Sequence, residues 1–131
     1  MFAQRSNQVK DVPSIIKRYI DVWNESDPQR RRALIAEVFA DDADYTDPLG
    51  SVAGHDAIAA FVASAQAQFP GLEFNLAGPV DSHHCQARFR WHLGFPGADE
   101  PIVVGFDVAV IENDRLRSVY GFLDRVPAAL A

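Results

Sequence analysis

Three polar residues fall where a concave pocket would form: Tyr19, Asp47 and Asp107. Tyr19 shares the spacing of Ile15, Ile16, Ile20 and Trp23, so it falls on the apolar side of an amphipathic segment. Asp47 lies in Thr46-Asp47-Pro48-Leu49-Gly50, where proline and glycine mark a turn. Asp107 interrupts the run Val103-Val104-Gly105-Phe106-Asp107-Val108-Ala109-Val110. An aspartate in such a strand costs free energy if buried alone, so it is hydrogen-bonded, protonated or turned to solvent. Two carboxyls and a phenol at the mouth of a concave pocket can take up and donate protons. Each also has a purely structural reading: Tyr19 as core, Asp47 as a turn cap, Asp107 as partner of a nearby loop. Taken one by one, these residues favour the structural reading.

Other chemistry finds little support. His83 and His84 are adjacent, and in a strand they would point to opposite faces, so no metal site is expected. There is no G-x-S-x-G elbow, phosphate-cradling glycine loop or dinucleotide fingerprint, and no cofactor is expected. Cys85, the single cysteine, reads as a small core residue in a strand.

The elements that must position these groups follow from periodicity. Ile15 to Trp23 form a first helix. Asp27-Pro28 reads as cap and first turn of a second, with Leu34, Ile35, Val38 and Phe39 apolar, ending at Asp41-Asp42. A short extended piece, Ala43 to Thr46, precedes the Asp47 turn. A third helix runs from about His55 to Gln68, burying Ile58, Phe61, Val62 and Ala65, until Pro70-Gly71 stops it. Four strands follow at Leu72 to Val80, Cys85 to Phe95, Ile102 to Ile111 and Leu116 to Leu123, split at Asp81-Ser82, Pro96-Gly97 and Asn113-Asp114. Helices first and strands afterwards predict an α+β layout with one sheet curled over the helices.

With 131 residues, 48% of them hydrophobic, the chain suits one globular domain, 1–131, whose first ten or so residues are a polar tail expected to be flexible. Eighteen acids against twelve bases give a net charge of −6, which argues against nucleic acid and anionic membranes as partners. One cysteine, no apolar leader and no run of membrane-spanning length make a cytoplasmic setting the expectation. In the last strand Val119 and Leu123 share one face while Tyr120 and Phe122 share the other. A sheet apolar on both sides needs a second cover, so the convex face is expected to pair with another copy in a homodimer.

The runs YIDVWNESDPQ (19–29) and FADDADYTDPLGSVAGHDAIAAF (39–61), with the four-strand tail, resemble the nuclear transport factor 2-like superfamily, in particular its SnoaL-like and ketosteroid isomerase-like members. The resemblance spans about Ile15 to Val126 and implies a cystatin-like cone: three N-terminal helices packed in a curved, mainly antiparallel sheet around an apolar pocket, usually dimeric. Against the steroid isomerases, Tyr19 matches the tyrosine of the oxyanion hole, Asp47 the proton-shuttling aspartate, and Asp107 the second donor, an acid kept neutral by an apolar site. Val62 stands where the isomerases carry a supporting tyrosine. In those isomerases the neutral acid can donate a hydrogen bond to the developing enolate, and the resemblance implies the same part for Asp107.

Strand parity with Asp107 inward adds Gly105, Ala109 and Ile111, and the resemblance adds Phe89, Trp91 and Leu93. With Trp23, Tyr45, Phe61, Phe74 and Leu123, the expected ligand-binding wall is apolar, suited to a small hydrophobic compound bearing a carbonyl or hydroxyl. Three functions remain in view: acid/base proton transfer on such a compound, a ligand-binding or interaction module without turnover, and a polyketide cyclase-type tailoring enzyme.

Overall fold

The computed structural model describes residues 11–128; the polar tail expected over the first ten residues lies outside them. Helix α1 (Val12–Asn24) starts behind Asp11, with Pro13 in its first turn and the Ser14 hydroxyl donating to Asp11 Oδ1 at 2.6 Å. Its inward stripe is Ile15, Ile16, Tyr19, Ile20, Val22 and Trp23. Each such side chain contributes roughly 1.5–3 kcal/mol by leaving water, more than helix propensity could supply. Helix α2 (Pro28–Val38) is capped by Asp27, which accepts from the Arg30 amide at 2.9 Å. Its Arg31 is buried and donates to the Glu25 and Ser26 carbonyls and to Gln66, tying the α1–α2 loop to α3. Helix α3 (His55–Gln68) presents Ile58, Ala59 and Val62 to the core.

Among the described residues, seven strands make one sheet: β1 (Phe39–Asp47), β2 (Gly50–Ala53), β3 (Glu73–Leu76), β4 (Asp81–His83), β5 (Gln86–Gly94), β6 (Val103–Glu112) and β7 (Arg115–Arg125). Their order is β2-β1-β7-β6-β5-β3, with β4 also on β5. Every pairing is antiparallel except β1 with β7. Along β5 and β6 burial alternates strictly, Ala87, Phe89, Trp91 and Leu93 against Val103, Gly105, Asp107, Ala109 and Ile111. That face and the three helices enclose the core, as expected of an α+β cone.

Several boundaries differ from the sequence reading. Phe39 opens β1 instead of closing α2, and Asp41-Asp42 lie within the strand, where a shift of register against β7 between Phe39 and Asp44 accommodates them. The Asp47 turn leads into a short strand, β2. Asp81-Ser82 is no turn but part of β4, whose three residues are all exposed and so carry no alternation. The reversal comes at His84, which has a left-handed φ of 54°. His83 and His84 therefore do not diverge; their Nδ1 atoms lie 3.2 Å apart. Cys85 follows the same turn and is exposed, because it sits just outside β5. No helix among the described residues is long and apolar enough to cross a membrane.

Candidate functional site

Tyr19 and Asp107 meet because α1 crosses the concave face where β6 carries its one inward acid. The Tyr19 hydroxyl donates to Asp107 Oδ2 at 2.8 Å, and the Trp91 indole N–H donates to Oδ1 at 3.1 Å. Asp107 is 2% exposed. Burial pushes its carboxyl up to about 6; the hydrogen bonds from Trp91 and Tyr19 oppose that rise and the charge of Asp47 adds to it. Burial also raises the Tyr19 phenol well above its ordinary value, with the Asp107 charge acting in the same direction.

Asp47 ends β1. Its Oδ1 accepts from the Leu49 amide at 2.8 Å and the Gly50 amide at 3.2 Å, so the carboxylate does cap its turn. Its Oδ2 accepts from the Tyr45 hydroxyl at 2.6 Å. Tyr45 is two residues back on the same side of β1, and its phenol is raised by burial and by the charges of Asp107 and Asp47. Gly121 of β7 lies where these groups converge. A Cβ there would stand 2.9 Å from Asp107 Oδ1, 3.2 Å from Asp47 Cβ and 3.4 Å from Tyr45 Oη. The missing side chain at 121 is what lets the two acids occupy one end of the cavity.

That cavity has a volume of about 240 Å³, and its wall includes Tyr19, Trp23, Tyr45, Asp47, Phe61, Phe74, Trp91, Asp107 and Leu123. The rings form a continuous lining: Trp23 lies 5.3 Å from Tyr45 and 5.5 Å from Phe74, and Phe74 lies 5.3 Å from Trp91. Phe89 is placed differently from the expected ligand wall. It is directly opposite Asp107 on the neighbouring strand, but the Tyr19 ring packs on it at 5.6 Å and separates it from the cavity. It supports Tyr19 from behind. The sequence reading also omitted Ser64 and Gln68, polar members of the wall from α3. The spacing Phe61, Ser64, Ala65, Gln68 is that of one helical face and would have revealed them.

A curved α+β sheet wrapped on three helices is the fold this chain shares with a nuclear transport factor 2-like protein from Mesorhizobium loti, 20% identical (TM-score 0.64, 86% and 89% covered). The family model for the SnoaL-like domain matches residues 16–119, and the chain belongs to that family. Among solved structures, a candidate isomerase of the SnoaL-like family from Agrobacterium tumefaciens is 38% identical, with a TM-score of 0.80 over 85% of this chain and 95% of that one. Two more distant structures share the fold. A candidate ketosteroid isomerase from Kribbella flavida is 18% identical (TM-score 0.65, 86% and 77% covered). A candidate polyketide cyclase from Sinorhizobium meliloti is 19% identical (TM-score 0.66, 85% and 95% covered). No curated protein matches the chain.

Proposed function

We propose that the protein is an enzyme that moves a proton within a small apolar carbonyl compound, in the manner of a ketosteroid isomerase. Asp47 removes the proton beside the carbonyl, Tyr19 donates to the enolate oxygen, and the protonated form of Asp107 donates to Tyr19 from behind. The observation that carries this reading is the gathering of Tyr19, Asp47 and Asp107 at one end of a cavity whose remaining wall is mostly aromatic and aliphatic. The candidate isomerase from Agrobacterium tumefaciens supports it. At about 240 Å³ the cavity is smaller than the roughly 300–1,000 Å³ common for drug-sized ligands, which favours a compact ketone.

The test is isomerisation of a small β,γ-unsaturated ketone, followed by absorbance of the conjugated product. Asp47→Asn should reduce kcat by about 10²- to 10⁴-fold; a rate indifferent to the change would remove Asp47 as the base. A second reading, a binding module without turnover, is favoured by the hydrogen bonds that already occupy Asp47 Oδ1 and both phenols. It predicts tight ligand binding with no conversion by the wild type.

We also propose a homodimer. Phe106 pairs with Phe122 and Val108 with Tyr120 across β6 and β7, facing away from the core. Tyr120 is 43% and Phe122 56% exposed, an uncovered aromatic patch with Arg90 beside Phe106 on β5 and Asp124 two residues beyond Phe122 on β7. Exposed apolar groups gathered on one sheet face lose least by being covered, and a second copy meeting the same face under a two-fold rotation covers both.

A further inference from the structure

We propose that Trp91 is a positioning residue: seated on the bare backbone of Gly105, its indole N–H reserves one oxygen of Asp107 as an acceptor and confines the acid's proton to the oxygen beside Tyr19. The seat is visible in the register. Trp91 and Gly105 are directly paired across β5 and β6. A Cβ at position 105 would lie 2.0 Å from Trp91 Cζ2 and 2.2 Å from Cε2, so the indole occupies the space where any other side chain would stand. Lying flat there, the ring reaches the residue two places along the same face of β6, Asp107, at 3.1 Å. From the β7 side, a Cβ at position 121 would stand 2.9 Å from the same oxygen, Oδ1, so glycine there leaves the acid where Trp91 meets it.

The two donors to Asp107 differ in one respect. An indole N–H can only donate, whereas a phenol can donate or accept. A proton placed on Oδ1 would face the Trp91 N–H donor to donor. Placed on Oδ2, it faces the Tyr19 oxygen, which accepts it once the hydroxyl rotates away. The phenolic O–H is then free for another acceptor, and the cavity is what Tyr19 borders. Protonation of Asp107 thus yields a series, Asp107 Oδ2–H to Tyr19 Oη and Tyr19 O–H to a ligand oxygen, with no covalent bond of the ligand altered. The other ionisable groups at this end of the cavity are Tyr45 and Asp47 of β1. The use of this series in catalysis rests on the proton-transfer reading above; its existence does not.

The experiment is a pH titration by NMR that needs no substrate. In the wild type the Trp91 indole resonance, one of only two in the chain, should shift with the same midpoint as the Asp107 carboxyl carbon, near 6. Trp91→Phe should raise the Asp107 midpoint by about one pH unit, because a hydrogen bond to the ionised form is lost. Gly105→Ala keeps the indole but removes its seat, and should raise the midpoint in the same direction. An Asp107 midpoint unmoved in a folded Trp91→Phe protein overturns the proposal, and one unmoved in Gly105→Ala overturns the role of the seat. If neither variant folds, a wild-type indole resonance that ignores the titration of Asp107 overturns it as well. An inactive wild type with these shifts intact would remove the isomerase reading and leave the positioning of Asp107 standing.

Discussion

Tyr19 and Asp107 are 88 positions apart and are joined by a buried hydrogen bond of 2.8 Å that links the first helix to the sixth strand. The bond is charge-assisted whenever Asp107 is ionised, and such bonds contribute roughly 1.5–3 kcal/mol. Tyr19→Phe keeps the ring and its packing on Phe89 but leaves Oδ2 without its donor. Urea unfolding at pH 7.5 should show a loss of about that size. The loss should shrink at pH 4, where the carboxyl is neutral; an equal loss at both values would show that packing, not the hydroxyl, carries the effect.

Asp107 itself makes stability depend on pH. Its folded value is raised to about 6 from 3.8, so between those values the folded state holds more protons than the unfolded one. Stability attributable to this group is therefore fully present below about pH 4 and falls as pH rises to about 6, by something on the order of 3 kcal/mol. Other carboxyls titrate in the same window, so the check is a difference. Subtracting the Asp107→Asn profile from that of the wild type should leave this downward slope, and a flat difference contradicts it.

The same titration sets the direction of any activity profile. If protonated Asp107 donates to Tyr19 as Tyr19 donates to the enolate, kcat/KM should decline as pH rises through about 6. A profile that instead climbs through pH 6 would assign Asp107 the part of an ionised base.

Gly121→Ala tests the spacing of the acids. The added methyl would stand 2.9 Å from Asp107 Oδ1 and 3.2 Å from Asp47 Cβ, so one carboxyl must move. Overpacking of this kind costs about 1–3 kcal/mol. Thermal unfolding should register that cost, and the Asp107 resonance should move with it.

Phe122→Asp addresses the convex face. Position 122 is 56% exposed and makes no part of the core, so the protomer should stay folded. Sedimentation should show a dimer for the wild type and a monomer for the variant. A monomeric wild type at micromolar concentration would dismiss the paired arrangement.

How far the molecule could be read from its sequence depended on the kind of signal each element carries. Helices α2 and α3 are bounded by proline, glycine and a capping aspartate, and Asp27 caps where the sequence put it. The core strands β5 to β7 announce themselves by their Val, Phe, Leu, Ile, Tyr and Trp content and by the breaks at Pro96-Gly97 and Asn113-Asp114. Strand β4 does not, since Asp81, Ser82 and His83 are all exposed at a sheet edge where nothing selects for apolar residues. The start of β1 is concealed because Asp41 and Asp42 occupy an irregular stretch whose side chains turn to solvent. At the site, inward parity located Asp107 but could not show what it touches. Gly105 reads in sequence only as a weak point of an apolar strand, and its meaning depends on Trp91 lying opposite, which pairing register alone decides. Phe89 has the parity of a wall residue and is displaced from that role by a helix that the strand pattern cannot see.

The parallel contact of β1 with β7 bears on the time at which the cavity comes into being. Ser118 donates to Asp44 at 2.6 Å across 74 positions, and the strand that carries it is the last of the fold. During synthesis from the N-terminus, the helices and β1 would leave the ribosome with the edge of β1 bare and one acid in place, waiting for β6 and β7 to bring the other. Contacts of such separation also slow refolding, into the range of milliseconds to seconds typical of sheets built from distant segments. The acidic end of the cavity is thus among the last features to form, and a chain released before residue 107 would have all three helices and no candidate site.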